Sequence, residues 1–359
     1  MGLFDSCIDK KLGKNNQLIK LALLIDWNPI RIILEKVHKR DELIRSGGFS
    51  YNKLKMFKAI LLGQWHSLSD AKLEEALNVR LDFMRFCDFE LDDDIPDYSS
   101  LNRFRNKLIQ RKLEEKLLFE VNRQLEEQEL KVQKAEAAII DATVIESSAR
   151  PRRVLEVSED RKELIELPAN TSTLTSEESA TTNYEVVESC DKDAKWLKKG
   201  KRSYYGYKAF VSVDNGDGYI NDIHVTPANV SEVNEFDEIT KNVKAKRVLS
   251  DKGYASAKNR NSLRARGIKN GVMYKAAPKK ELKPREKLFN RLVSKSRYVV
   301  ERTIGTLKNH FCCGRAKYLG LVKVKAQLFF KAICHNLLKA VNKIELIKPN
   351  IMQIECEIT

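Results

Sequence analysis

Three acidic residues lie in surroundings that acids usually avoid. Asp141 is in the apolar stretch AAIIDATVIES, whose β-rich composition disfavours aspartate. Asp251 ends the apolar run of RVLSDKGYAS and is followed by Gly253, which would let the chain turn sharply. Glu301 is the single acid of SKSRYVVERTIGTLKNHF, a stretch otherwise charged only by Lys and Arg. Two parallel strand ends and one helix face could bring these three carboxylates to one point.

Carboxylates that come close together repel one another unless cations lie between them. Mg²⁺ meets that need, because it takes oxygen ligands and keeps positions for waters and phosphate oxygens. Two such ions about 4 Å apart would activate an attacking oxygen and stabilise a leaving oxygen at phosphorus. Each acid also has a simpler explanation: Asp141 as a strand-end residue, Asp251 as a helix cap, and Glu301 as the i,i+4 partner of Arg297.

The positive charge of the chain is concentrated near its carboxyl end. The 359 residues carry 65 Lys and Arg against 50 Asp and Glu, a net charge of +15, but residues 241–340 hold 27 Lys and Arg against 4 acids. This asymmetry indicates a polyanionic partner, foremost nucleic acid, because each neutralised phosphate releases counterions. General solubilising charge is the alternative.

A second basic stretch, DAKWLKKGKRSYYGYK, mixes aromatic and basic residues. Such a mixture can stack bases while it neutralises phosphates. Lys201 and Arg202 are its candidate DNA contacts. A packed Trp196 beside a solvated lysine run is an equally good interpretation.

The elements that would position these residues follow from the apolar periodicity. Apolar residues recur every three or four positions over 15–135, which predicts an all-α region. A strand at 137–147, a hairpin over 203–229 and alternating helices and strands after it predict a mixed, three-layer α/β domain. We therefore divide the chain into a helical N-terminal domain with an expected DNA-binding role (1–135), an α/β domain (136–345) with a linker or excursion at about 148–200, and a tail (346–359).

Composition also argues against several other classes of protein. Seven cysteines without a C-x-x-C pair suit a reducing compartment, and the Cys and His residues near the carboxyl end match no zinc-site spacing. No apolar run approaches the length of a membrane span, and the acidic start differs from a signal peptide. We expect an intracellular protein without structural zinc and without a membrane partner.

Together these stretches resemble the bacterial insertion-sequence transposases of the DDE type, in the group whose third motif is Tyr-x2-Arg-x3-Glu-x6-Lys. The resemblance covers nearly the whole chain. IIDATVIES, YGYKAFVSVD, VTPANV, VLSDKGYAS and RYVVERTIGTLK are similar to successive pieces of that group's ribonuclease H-like catalytic domain, and IPDYSSLNRFRNKL to part of its helical N-terminal domain. The resemblance therefore implies a ribonuclease H-like, mixed-sheet α/β domain preceded by an all-α domain.

The resemblance also assigns roles to single residues. It implies that Asp141, Asp251 and Glu301 form the catalytic, metal-binding triad. The group's Arg and Lys, which are expected to contact DNA near the element end, correspond to Arg297 and Lys308. Tyr254 completes the second motif, Asp-x-Gly-Phe/Tyr, and is a further candidate DNA contact, whereas Ser294 replaces the Tyr of the third motif.

The activity that the resemblance implies is cleavage at the ends of an insertion element, followed by joining of the freed 3′ hydroxyls to target DNA. The expected cofactors are two Mg²⁺ ions, for which Mn²⁺ can substitute. The expected partner is double-stranded DNA, as terminal inverted repeats and as target, bound by at least a dimer in the bacterial cytoplasm at the nucleoid. The alternatives are a nuclease of the same fold that never joins strands, and a non-catalytic DNA-binding protein derived from a transposase.

Overall fold

The computed structural model describes residues 10–13, 15–37, 51–155, 165–166, 184–278 and 280–347. Its amino-terminal part is helical, as predicted. The helices are α1 (Gln17–Leu24), α2 (Trp27–Glu35), α3 (Lys53–Trp65), α4 (Asp70–Val79), α5 (Leu81–Cys87), α6 (Tyr98–Gln110) and α7 (Glu114–Glu127). Two begin at side-chain caps: Ser69 accepts a hydrogen bond from the amide of Lys72, and Asp97 accepts one from the amide of Ser100.

The α/β part is built on one mixed sheet. Its strands are β1 (Ala138–Glu146), β5 (Lys195–Lys199), β6 (Arg202–Asp214), β7 (Ile220–Pro227), β8 (Arg247–Ser250) and β9 (Lys269–Val272). The main order is β7-β6-β1-β8-β9. β5 pairs with the first residues of β6, on the same edge as β7 and beyond the end of β7. β6 is antiparallel to β1 and β7, whereas β8 is parallel to β1 and β9. This is the mixed sheet that the sequence predicts, with the ribonuclease H-like order that the family resemblance implies.

Helices cover both faces of this sheet. The helices α8 (Phe236–Thr240) and α9 (Ala257–Ala265) lie on one face, over a small core that includes Ile140, Phe210 and Val248. The helices α10 (Pro284–Asn309) and α11 (Leu321–Ile347) lie on the other face. α11 packs against β7 and also against α3 and α7. One hydrophobic core therefore runs from the amino-terminal helices into the sheet, across the boundary predicted near residue 135.

Several elements differ from the sequence-based expectation. Within the predicted excursion, the short strands β2 (Arg152–Leu155), β3 (Ile165–Glu166) and β4 (Tyr184–Val187) form a second, three-stranded sheet. Among the helices and strands predicted after the hairpin, α8 has only five residues. α10 begins at Pro284, which occupies its first turn, and the Glu286 carboxylate accepts a hydrogen bond from the amide of Lys283. Among the described residues, no helix has the length and apolar character that a membrane crossing requires.

Candidate active site

Strand pairing places Asp141 beside Asp251. Asp141 is in the middle of β1, and Asp251 directly follows the last residue of β8. The two strands run parallel, with Ile140 opposite Ser250, so the next residue of each chain segment is an aspartate. Neighbouring strands lie about 4.8 Å apart, and hence these two carboxylates start from adjacent backbone positions.

α10 supplies the third acid from above the sheet. It packs on β1, β6 and β8, and its buried residues include Val299, Val300 and Thr303. Arg297 and Glu301 are one turn apart on this helix, so they project from neighbouring positions of one face. The packing of α10 thus fixes both side chains over the strand ends that carry the aspartates.

The three carboxylates converge on the guanidinium group of Arg297. One of its terminal nitrogens donates a 2.9 Å hydrogen bond to Oδ2 of Asp141 and lies 3.6 Å from Oε1 of Glu301. The other terminal nitrogen lies 3.6 Å from Oδ1 of Asp251. The side chains of Arg297 and Asp141 are each 18% exposed, Asp251 is 31% exposed and Glu301 is 60% exposed. The site therefore opens to solvent on the Glu301 side.

Electrostatics favours this arrangement around Arg297. Burial lowers the pKa of the guanidinium, but the charges of Asp141, Asp251 and Glu301 outweigh that effect and leave the pKa raised above its ordinary value. The Nε atom of Arg297 is buried without a hydrogen-bond partner. One cation facing three acids leaves an excess of negative charge, which a further cation could neutralise.

The simpler explanations of the three acids also hold in part. Oδ1 of Asp251 accepts a 2.7 Å hydrogen bond from the amide of Lys252 and so caps the 3₁₀ turn Lys252–Tyr254. Oδ1 of Asp141 accepts one from the amide of Ala142. Glu301 is an i,i+4 partner of Arg297. In Asp141 the local contact engages Oδ1 and leaves Oδ2 to Arg297, whereas in Asp251 the same oxygen, Oδ1, accepts from the Lys252 amide and faces Arg297.

The donor set suits a hard divalent cation, because all three ligands are carboxylate oxygens. As the side chains stand, however, no group of three or more His, Cys, Asp or Glu residues in the described part of the chain is arranged to hold a metal ion. The guanidinium of Arg297 explains this, since it lies among the carboxylates. Sequence reasoning identified Arg297 but did not foresee this position, which depends on the rotation of α10 over the sheet.

Tyr254 lies in the core below the three acids. Its ring is completely buried and packs against Phe210 and Phe236, with ring centroids 6.4 and 5.9 Å away. In this structure the ring has no surface to offer DNA, and the contact of Tyr254 with DNA stays a prediction. Burial raises the pKa of the phenol well above its ordinary value, and the charges of Glu232, Asp141 and Asp251 add to that shift. The hydroxyl group itself is buried without a hydrogen-bond partner.

The remaining candidate DNA contacts lie away from the three acids. Lys308 is three turns beyond Arg297 on α10, about 16 Å along the helix axis. It is half-buried, and its pKa is lowered first by burial and then by the charge of Lys199. Lys308 is therefore near the β5–β6 hairpin, which carries Lys201 and Arg202, both exposed.

The β5–β6 hairpin is closed by the two residues Gly200 and Lys201, and Gly200 has a φ of +62°. A positive φ at the first position alone is the pattern of a type II′ turn, for which glycine is suited. Trp196 on this hairpin is 45% exposed, lies 5.2 Å from the ring of Tyr205, and is covered by the guanidinium of Arg150 at 5.0 Å. Trp196 is thus partly packed, and the rest of its ring is exposed to solvent.

Ser294 is exposed on α10, and an exposed tyrosine, Tyr298, lies one turn later.

Comparison with known proteins places the sequence in a family. The family described as "Transposase DDE domain" matches residues 133–337, and the family "Transposase domain (DUF772)" matches residues 6–107. The chain is similar to the transposase for insertion sequence element IS1106 of Neisseria meningitidis serogroup B, with 38% identity over 244 residues, 67% of this chain and 78% of that protein. Among solved structures, a piggyBac transposase synaptic complex with hairpin DNA aligns with 96% of this chain and 79% of its own, at 12% identity and a TM-score of 0.47.

Proposed function

Since the chain belongs to the DDE transposase family, we propose that Asp141, Asp251 and Glu301 are the ligands through which this DNA transposase binds divalent metal. Membership of the family implies an enzyme that cleaves DNA and transfers the cut strand, with a divalent metal ion as cofactor. The finer proposal is that two Mg²⁺ ions bind here, and that Mn²⁺ can replace them.

The convergence of three carboxylates on one guanidinium is the observation that carries this proposal. Three separate elements contribute the acids, so a local ion pair does not account for the arrangement. When bound, divalent ions supply activation of the attacking oxygen and stabilisation of the leaving oxygen. The guanidinium of Arg297 occupies the space among the acids and has to turn outward before metal is bound.

The outward position gives Arg297 a second role. Its guanidinium is a planar donor that can bind a phosphate oxygen in bidentate fashion. α10 carries exposed basic residues in the turns before it, Arg285, Lys287, Arg291 and Lys295. We infer that Arg297 binds a phosphate of the element end at the edge of the acidic site. The N-terminal half of α10 would then lie along the DNA.

Lys308 and the hairpin residues Lys201 and Arg202 are proposed to hold the DNA on the other side of the site. They form one basic region, since Lys199 of the hairpin is close enough to lower the pKa of Lys308. The bound DNA would be the terminal inverted repeat in one step and the target in the next. Joining two ends requires at least a dimer, and the reaction would take place at the bacterial nucleoid.

Isosteric variants test this function. We expect Asp141→Asn, Asp251→Asn and Glu301→Gln each to abolish Mg²⁺-dependent cleavage of DNA that carries the element ends, while binding of that DNA changes little. Glu238→Gln is the matched control, because Glu238 is an exposed glutamate on α8 away from the site. Full cleavage by any of the three variants would refute the ligand assignment. Cleavage by the wild type without joined element and target products would favour the nuclease alternative.

A further inference from the structure

Glu232 is a fourth acid at the same edge of the sheet. β7 is antiparallel to β6, which is antiparallel to β1, so β7, β1 and β8 all run in the same direction. Their carboxyl ends therefore meet at one edge, where Asp251 is found. Glu232 follows β7 by five residues, in the loop that leads to α8. None of the sequence patterns distinguished it from other surface glutamates.

Gly253 gives the first evidence that this acid contacts the turn after Asp251. The sequence suggested that Gly253 allows a sharp turn. Its φ angle, however, is not in the left-handed region, where glycine is favoured over other residues. Instead, Oε2 of Glu232 lies 2.6 Å from the place where a Cβ atom on residue 253 would be. The carboxylate of Glu232 therefore lies directly against the backbone of Gly253, and a side chain at residue 253 would displace it.

Two buried side chains hold the Glu232 loop in this position. Lys208, on the same face of β6 as Phe210, donates a 2.7 Å hydrogen bond to the carbonyl of Val230 and has its Nζ atom 3.7 Å from Oε1 of Glu232. The Asn259 side chain donates 3.0 Å hydrogen bonds to the carbonyls of Val233 and Tyr254. Asn259 thus joins the loop to the 3₁₀ turn that Asp251 caps, and Lys208 joins the loop to the sheet.

We propose that Glu232 is a positioning residue of the active site, which fixes the Asp251 turn from the face of the sheet opposite to α10. The proposal rests on the proposed function of Asp251 as a metal ligand. Through Gly253, Glu232 limits where the backbone of the turn can go, and so sets the direction of the Asp251 side chain. Burial raises the pKa of the unpartnered Tyr254 hydroxyl, and the negative charges of Glu232, Asp141 and Asp251 add to that rise.

A double-mutant cycle between Glu232 and Gly253 tests this contact. Gly253→Ala places a methyl group where the carboxylate is, and we expect it to weaken Mn²⁺ binding and to slow end cleavage by about 10-fold, a coupling typical of residues in contact. Glu232→Ala should weaken Mn²⁺ binding by a similar factor. In the double variant the methyl group has room, so adding Gly253→Ala to Glu232→Ala should cause less than about a 2-fold further loss.

The readout is Mn²⁺ affinity of the full chain without DNA, measured by electron paramagnetic resonance, together with the unfolding temperature in EDTA. Independent, additive losses would overturn the proposed contact, and so would unchanged Mn²⁺ affinity in Glu232→Ala with only a lowered unfolding temperature. If Gly253→Ala does not fold, Glu232→Ala and Glu232→Gln decide the question against the Glu238→Gln control. Asp251→Asn separates the proposed metal site from the proposed role of Glu232. If Asp251→Asn leaves Mn²⁺ affinity intact, the proposed function fails. If Asp251→Asn weakens Mn²⁺ binding but the Glu232 variants do not, only the role of Glu232 fails.

Discussion

Replacing Arg297 by glutamine should lower the stability of the metal-free protein and yet raise its affinity for divalent metal. In the structure, the guanidinium donates a 2.9 Å hydrogen bond to Asp141 and lies 3.6 Å from oxygens of Asp251 and Glu301. Glutamine fills part of the same space without the charge. The acids then repel one another in the absence of metal, but no internal cation has to leave before metal binds.

The magnitude follows from the exposure of the partners. A fully buried ion pair costs about 3–5 kcal/mol when one partner is removed, and a fully exposed pair about 0–1 kcal/mol. Arg297 and Asp141 are each 18% exposed and the other acids more so, which suggests a cost of about 2 kcal/mol for the metal-free protein. That value corresponds to an unfolding temperature lower by about 3 °C in EDTA for a chain of 359 residues. Release from the same competition should raise Mn²⁺ affinity by about 30-fold.

Two measurements on the purified chain test this reasoning. Differential scanning fluorimetry in EDTA and in saturating Mn²⁺ should show a stability loss for Arg297→Gln that shrinks when metal is present, since bound metal stabilises the folded state. Calorimetric titration should show the tighter binding. Arg302→Gln is the matched control, because Arg302 is exposed on the same helix and lies over the ring of Tyr298. Unchanged or weaker Mn²⁺ binding by Arg297→Gln would refute the idea that this guanidinium competes with metal.

Three further outcomes are expected. Binding to end DNA should weaken in Lys308→Ala and in the double variant Lys201→Ala with Arg202→Ala. The slope of log K against log salt concentration should fall by about 0.9 for each lost phosphate contact, and an unchanged slope would argue against these contacts. Tyr254→Phe should bind DNA as the wild type does, because the ring is buried; a clear loss of binding in a gel-shift assay would restore the direct contact. Burial raises the pKa of Asp222 to about 6. The contribution of Asp222 to stability is therefore present at low pH and is lost as pH rises through 6. Asp222→Asn should remove this part of the pH dependence of the unfolding temperature, and identical pH profiles of variant and wild type would contradict the prediction.

Most of the frame of the site could be predicted from the sequence. The β-rich apolar run of β1, the alternating runs of β6–β7, the apolar run before Asp251 and the helical period around Glu301 predict the elements that carry the three acids. The fold prediction is confirmed in its element order and in the mixed sheet. The assignment of the acids as metal ligands stays a proposal.

The parts that could not be predicted depend on side-chain direction and packing. No sequence pattern reveals that Arg297 turns inward among the acids, or that Tyr254 faces the core below them, because both follow from how α10 and the 3₁₀ turn sit on the sheet. β5 was missed because its residues, KWLKK, are nearly all exposed and show no apolar alternation. Gly253 was explained by backbone freedom, whereas in the structure its φ is not left-handed and the carboxylate of Glu232 lies against it.

Anomalous diffraction from crystals of the chain soaked in Mn²⁺ would test the central claim most directly. Carboxylate oxygens bind such an ion at about 2.0–2.2 Å. We predict anomalous density between Asp141, Asp251 and Glu301, with the guanidinium of Arg297 turned away from the position in which it now contacts Asp141. Saturating Mn²⁺ with Arg297 still bonded to Asp141, and with no anomalous density among the three carboxylates, would contradict the assignment of this site as the metal centre of the transposase.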